Sequence, residues 1–363
     1  MLLPEGGTSD QVAFQDVYGS CWIGRKECLR PSQGRQIGLH SPYWRTTGFP
    51  CCAPSRRLPE RRQELGKLAP PVTFAQSLAI ILKILSMIYK MVQNNTYATK
   101  RDIYYSDTLL FGNQSVVDSI VNDISCMLKI PRRSLHILST TKGCIAGNLS
   151  YTEEDGTKVN CTCSATAVTV PSNVQGIKNV ITNAKFILIV EKDATFQRLL
   201  DDDFCNKLSP CIMITGKGVP DLNTRLLVRK LWDTFHIPIF TLMDADPHGI
   251  EIMSIYKYGS VSMSFEAHHL TVPAIRWLGL LPSDIERLNI RKDALIPLTK
   301  QDQNKLASMQ KRLYVACQPM WKKEMAIMAT SKMKAEIQAL TSLSSDYLSR
   351  VYLPNKLQFG GWI

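Results

Sequence analysis

Over the first seventy residues no hydrophobic period persists. Gly, Pro, Ser and Arg punctuate the stretch, as in CCAPSRRLPERRQELGKLAPP at 51–71. Such a segment has little apolar surface to bury, so residues 1–72 are expected to form a disordered or atypical N-terminal tail. From Phe74 the character changes. Leu78, Ile81, Leu82, Leu85, Ile88, Tyr89 and Val92 recur at three- and four-residue spacing, which predicts a helix with one apolar face. A second, short helix follows, with Thr99 as its cap and Asp102 three residues on as capping-box partner. Gly112 and Asn113 then break the chain. Ser115 with Asp118 predicts the next cap, opening a helix through Val116, Val117, Ile120, Val121 and Ile124 that stops short of Pro131. Strand-like runs come next at 134–139, 145–151 and 158–170. Three helices followed by a small sheet is the order of a winged helix-turn-helix, and equally that of an unrelated three-helix domain.

After Pro171 short apolar runs alternate with helical stretches. KFILIV (185–190), CIMIT (211–215) and IPIFTLM (237–243) read as buried parallel strands. DATFQRLL and residues 221–232 and 248–256 read as the helices between and after them. Repeated βα units predict a mostly parallel sheet with right-handed crossovers. From about Leu298 the chain reads as mainly helical, over 305–312 and 322–340. A length of 363 residues allows two ordinary domains.

Charge adds a partner class. Lys and Arg number 43 against 31 Asp and Glu, a formal +12, which favours an anionic partner such as nucleic acid and makes the attraction salt-dependent. The eleven cysteines form no regular framework, and free thiols are expected. Cys161-Thr-Cys163 alone is not a zinc pattern. The opening MLLPEGGTSD lacks the regions of a secretory signal, and the apolar run 78–92 is too short to cross a bilayer and holds Lys83 and Lys90. No membrane partner is expected, and the sequons at Asn94, Asn113, Asn148 and Asn160 read as chance matches.

The sharpest chemical signal is acidic. Glu191 follows the first strand of the alternating half, and Asp244 and Asp246 follow the third. Ligands in such sheets bind at the carboxyl ends of strands. If the chain stays extended past Met243, the two aspartates point the same way. Three converging carboxylates repel unless a cation neutralises them, and hard oxygen donors suit Mg2+. A lone Asp-x-Asp is more often a turn or helix cap; the glutamate at a neighbouring strand end is what favours metal. Between them, Gly216-Lys217-Gly218 forms a turn whose backbone can approach a phosphate. His268-His269 lie in FEAHHLTVPAIRWLG. Read as a strand, this stretch points them to opposite faces, and it is assigned to core and interface.

This layout resembles the Toprim domain. VEKDATF, TGKGVPD and DADPHG are similar to the branch found in the topoisomerase VI A subunit family. TKRDIYYSD carries a match to that family's Arg-Asp-x-aromatic-Tyr signature at Arg101, Asp102, Ile103, Tyr104 and Tyr105. Helical spacing lets Arg101 share a face with either tyrosine; the resemblance assigns Tyr105 as the nucleophile. It implies a winged helix-turn-helix (CAP-like) domain over 73–170 and a Toprim α/β domain with a helical C-terminal extension over 171–363. Catalytic roles fall to Tyr105 and Arg101, and metal binding to Glu191, Asp244 and Asp246 with Mg2+. A phenol is protonated at neutral pH and must lose its proton as it attacks DNA, leaving a 5′-phosphotyrosine and a free 3′-hydroxyl. Lys142, next to Gly143 as in the family's Lys-Gly step, together with Lys217 and Arg225, is a candidate DNA contact, as are Arg132, Arg133 and Lys230.

The resemblance further implies double-stranded DNA as substrate and a second copy of the chain in the active complex. It implies a topoisomerase VI B-like subunit, since no ATP-binding P-loop occurs here. Meiotic accessory proteins, a nuclear location and a role in starting meiotic recombination complete the expectation. It covers about 74–363; residues 1–72 differ from the family's usual beginning. Two other readings compete: a hydrolytic Toprim nuclease needing no tyrosine, and a non-catalytic DNA-binding form with an altered N-terminus.

Overall fold

The computed structural model describes residues 74–162, 167–207 and 210–363; the tail expected at 1–72, and Cys163, lie outside them. The chain parts into two compact units. One comprises the described residues up to Thr140 together with Val261–Glu266, and the other comprises Thr141–Ser260 and Ala267–Ile363.

The first unit is helical. Helix α1 (Phe74–Gln93) is followed by β1 (Ala98–Thr99), α2 (Lys100–Tyr105), α3 (Thr108–Phe111), α4 (Gln114–Leu128) and β2 (Ile137–Leu138). The strands β1 and β2 pair in parallel, Ala98 with Ile137 and Thr99 with Leu138. The core joins Ile80, Ile84, Ile88 and Met91 of α1 to Ile103, Phe111, Val117, Val121, Ile124, Leu135 and Ile137. This corrects the expected face of α1. Leu78, Leu82, Tyr89 and Val92 are exposed. The helix is apolar on most of its circumference, so periodicity alone could not choose the stripe; the packing partners choose it. The cap of α4 also differs. Asn113, not Ser115, caps it, accepting the Ser115 N–H at 2.9 Å, while Asp118 faces the Lys100 ammonium at 3.4 Å.

The second unit carries a six-stranded sheet. Its strands are β3 (Cys144–Gly147), β6 (Val168–Thr169), β8 (Phe186–Val190), β9 (Cys211–Thr215), β10 (Ile239–Leu242) and β11 (Arg276–Gly279). They lie in the order β11-β10-β8-β9-β3-β6. The strands β8, β9 and β10 are parallel, as their apolar runs predicted; β11, which lies in the stretch assigned to core and interface, adds a fourth parallel strand, while β3 and β6 join antiparallel. The runs expected to build a wing beside the helices are divided. The first yields β2, whereas β3 is hydrogen-bonded to β9, so the division falls near residue 140 rather than after Val170. Strands β4 (Ser150–Thr152), β5 (Lys158–Asn160) and β7 (Lys178–Ile181) make a separate antiparallel sheet of this unit.

Both faces of the main sheet are covered, which is why its central strands read as unbroken apolar runs. Phe186, Leu188 and Val190 of β8 face Phe196 and Leu199 of α5 (Asp193–Asp201). Ile187 and Ile189 face the other core, built on α6 (Leu222–Phe235) and α7 (Pro247–Tyr258). Helices α8 (Lys300–Gln310) and α9 (Pro319–Ser331) add Leu306, Met309, Trp321 and Met325 to that second core. The helix expected over 322–340 is not continuous. Lys332 turns left-handed at φ 54°, and Met333–Lys334 is a strand pairing with Ile296–Pro297. Among the described residues no helix is long and apolar enough to cross a membrane, and Cys126, Cys144, Cys161, Cys205, Cys211 and Cys317 form no disulfide.

Candidate functional site

The acidic residues sit where two neighbouring parallel strands end. Val190 of β8 is level with Leu242 of β10, so Glu191 and the segment 243–246 emerge side by side. The N–H of Asp244 donates to Glu191 Oε2 at 2.8 Å, and both side chains are buried. Asp244 Oδ1 accepts the N–H of Ile337 at 2.9 Å, and its Oδ2 lies 2.8 Å from the Lys192 ammonium. That ammonium also reaches Glu336 Oε1 at 3.1 Å. Ala245 bridges Ala335 in antiparallel fashion, which keeps this loop extended. Asp246 then caps α7, its Oδ1 accepting the Gly249 N–H at 2.5 Å.

Electrostatics at this end of the sheet are strained. Burial, and next the Asp244 carboxylate, push Glu191 up to about 8. Burial also raises Asp244, against the hydrogen bond and charge of Lys192. Burial pulls Lys192 down, but Asp244 and Glu336 outweigh it and hold the lysine above its ordinary value. Close packing fixes the geometry: a Cβ on Gly249 would lie 2.5 Å from Asp244 O and 2.9 Å from Glu191 Oε2.

The residues fit a hard divalent cation by chemistry. They offer carboxylate oxygens, and the two buried acidic side chains, Glu191 and Asp244, share one ammonium, that of Lys192 on Asp244. They are not gathered as a ready cage: among the described residues no three His, Cys, Asp or Glu side chains are placed to hold an ion together. Glu191 and Asp244 are adjacent, while Asp246 serves as the helix cap that a lone Asp-x-Asp suggests. Magnesium keeps several waters and needs only one or two carboxylates, so this pair suffices for the donor set.

The glycine-lysine turn lies against the same strand ends. Gly218 donates to Glu191 O at 2.9 Å and takes φ +86°, a conformation that side chains disfavour. Lys217 reaches Asp193 Oδ2 at 3.2 Å, and the Lys142 ammonium donates to Lys217 O at 3.1 Å. Asp221 ties the two segments, accepting the N–H groups of Lys142 and Gly143 through one oxygen and that of Thr224 through the other. Lys142 and Lys217 are thus neighbours on one exposed edge.

Other basic candidates do not present themselves. Arg225 is buried, with Nη1 3.5 Å from Ser260 Oγ. Lys230 donates to the carbonyls of Val174, Gln175 and Ile177 at 2.8 to 3.2 Å. Arg132 is half-buried, with its N–H on Glu266 Oε1 at 3.1 Å, and Arg133 lies over the Tyr97 ring. His268 and His269 lie on a helical turn rather than a strand, with ring centroids 3.9 Å apart.

In the helical unit, α2 is set as its sequence predicts. Thr99 Oγ1 accepts the Asp102 N–H at 3.2 Å and Asp102 Oδ2 accepts the Thr99 N–H at 2.7 Å. Ile103 is buried and anchors the helix. Tyr104 packs against the core, its ring 5.3 Å from that of Tyr105. Tyr105 is 68% exposed, and Arg101 is exposed one turn before it. Lys192 and Glu336 are the site residues that sequence reasoning missed. The first stood in the quoted VEKDATF; the second fell inside the helix expected over 322–340.

Comparison with known proteins agrees with this arrangement. Residues 186–357 match the Toprim domain of the topoisomerase 6 A-subunit/Spo11 family, and residues 76–137 match the type IIB DNA topoisomerase domain. The chain is 82% identical over 289 residues to the human meiotic recombination protein SPO11, covering 80% of this chain and 73% of that one. It is 76% identical to the mouse protein of that name, over 79% and 73% of the two chains. It is 39% identical to the A subunit of DNA topoisomerase 6 from Arabidopsis thaliana, over 80% and 68%.

Proposed function

The chain belongs to the topoisomerase 6 A-subunit/Spo11 family, and from that premise we propose that it makes meiotic DNA double-strand breaks by transesterification, with Tyr105 as the attacking group. It is a type IIB topoisomerase-like enzyme that initiates homologous recombination. The observation that carries the site assignment is the difference between the two adjacent tyrosines. Tyr105 is 68% exposed beside an exposed Arg101, whereas Tyr104 packs into the core.

The chemistry follows from those groups. Tyr105 Oη attacks the phosphorus as its proton leaves to water. The 3′ oxygen departs with its bonding pair and is protonated. The chain is left on the 5′ phosphate, so the bond energy stays in the covalent link. Arg101 stabilises charge gathering on the non-bridging oxygens. Glu191 and Asp244, with Asp246 two residues on, would hold Mg2+, and the ion when bound would supply electrostatic anchoring of the neighbouring phosphates. Lys142 and Lys217 track the backbone as charge contacts. The helical unit with the tyrosine serves as the winged helix-turn-helix half, and the second unit as the Toprim half.

One chain has one such set of residues, and a double-strand break needs two. A second copy, meiotic accessory proteins and a topoisomerase VI B-like partner complete the complex, which works in the nucleus. The test is covalent adduct formation on duplex DNA with the B-like partner present. Tyr105→Phe should abolish the adduct, and Tyr104→Phe should retain most of it. Full strand cleavage by Tyr105→Phe would instead favour hydrolysis at the acidic site.

A further inference from the structure

We infer that Lys192 is the built-in counter-cation of the acidic site, holding Asp244 until a divalent ion takes that carboxylate, and that Glu336 then retains the displaced ammonium. The inference rests on reading Glu191 and Asp244 as metal ligands.

The geometry allows the exchange with little motion. Lys192 Nζ already touches both carboxylates, at 2.8 Å from Asp244 Oδ2 and 3.1 Å from Glu336 Oε1. Asp244 Oδ1 is committed to the N–H of Ile337. The oxygen that Lys192 covers is therefore the one a metal would use. Glu336 is half exposed, at 51%, so it can keep an ammonium in a solvated pair at small cost. It is held beside the site because its neighbours are fixed on both sides. Ala335 bridges Ala245, and Ile337 binds Asp244. The segment 335–337 thus clasps the acidic loop and carries the receiving carboxylate with it.

The energetics give the device its purpose. Glu191 and Asp244 are adjacent and buried. Two buried carboxylates without a counter-charge are costly to the folded state. Lys192 supplies one positive charge in the metal-free protein, and a divalent ion supplies two. The same ammonium opposes metal entry, because it occupies a ligand oxygen and repels the incoming charge. It therefore sets the metal affinity as well as the stability of the metal-free protein.

The experiment is Mn2+ titration of the full-length chain by calorimetry, with thermal unfolding measured in parallel. Lys192→Met should bind Mn2+ about 10-fold more tightly, the effect of removing one nearby like charge. Its metal-free form should melt below the unsubstituted protein, and Mn2+ should raise its melting point by more. Lys192→Arg should restore ordinary behaviour. A merely structural lysine would lower stability without tightening the metal, and that result overturns the inference. Glu336→Gln, a surface change, should weaken Mn2+ binding about 3-fold with Lys192 present and have little effect in the Lys192→Met background. Equal effects in both backgrounds also overturn it. Asp244→Asn separates the two levels. If it binds Mn2+ as the unsubstituted chain does, the metal reading itself is wrong and this inference falls with it. If it loses binding while Lys192→Met fails to gain, only the role of Lys192 is refuted.

Discussion

The main-chain N–H of Asp244 donates to the carboxylate of Glu191 over 2.8 Å. One acidic residue of the site is therefore oriented by the backbone of the other. The contact crosses between the ends of β8 and β10, which are paired in parallel up to Val190 and Leu242. The sheet register itself brings the two groups together.

Glu191→Gln keeps an acceptor for that N–H but removes the charge. Burial and Asp244 already push Glu191 up to about 8, so near neutral pH the metal-free fold holds it largely protonated, and Gln imitates that neutral form. The variant should fold with an unchanged or higher melting temperature. It should lose at least about 100-fold in covalent adduct yield, the scale of losing one charge-stabilising group. Calorimetry and adduct quantification measure both effects.

Gly249→Ala should damage the site through packing. Its Cβ would meet Asp244 O at 2.5 Å, a backbone atom that cannot swing away. A loss of about 1–3 kcal/mol in urea unfolding is expected, with reduced cleavage. Wild-type stability in this variant would mean the loop is looser than described.

Thr99→Ala tests the helix that presents the tyrosine. The variant removes the Thr99 Oγ1 acceptor of the Asp102 N–H and should cost about 1 kcal/mol. Hydrogen exchange should quicken across Lys100–Tyr105, with the Toprim unit unaffected.

The basic residues should divide by burial. Lys142→Ala and Lys217→Ala should each weaken DNA binding and lower its salt slope by about 1. Lys230→Met should leave the salt slope alone and lower stability, because its ammonium bonds three carbonyls. Gel-shift titrations at several salt concentrations separate the two outcomes.

Asp302, paired with Lys334, gives a pH signature of its own. Burial pushes it up, but Lys334 and the Thr299 cap outweigh burial and hold it at about 2. A depressed carboxyl stabilises the fold above the unfolded value near ~4 and loses that contribution as pH falls toward the folded one. Asp302→Asn should therefore cost about 2 kcal/mol at pH 6 and progressively less between pH 4 and pH 2. An equal cost at pH 6 and pH 3 in denaturant titrations would contradict this.

Much of the architecture was legible because local chemistry and tertiary packing agree there. The runs ending at Val190, Thr215 and Met243 became parallel strands, the last one closing at Leu242, and the Thr99–Asp102 capping box formed as its spacing predicted. Legibility failed where packing chose between equivalent local patterns. Helix α1 has apolar residues on several faces, and its core stripe depended on partners distant in sequence. The run over 145–151 was visible, but not its division into β3, paired with β9, and β4, which belongs to a separate sheet. Lys332 adopts a left-handed turn without a glycine or proline to signal it, which hid the clasp carrying Glu336 inside an expected helix. Arg225 looked like a surface charge because sequence cannot tell which positions of α6 are covered by the rest of the unit.

The most direct measurement is mass spectrometry of the covalent protein–DNA complex formed with the B-like partner present. After nuclease and protease digestion, the account predicts a nucleotide remnant joined through its 5′ phosphate to Tyr105 within the peptide bearing Arg101–Tyr105. A remnant on Tyr104, or cleaved DNA with 5′ phosphates and no attached peptide, would contradict it.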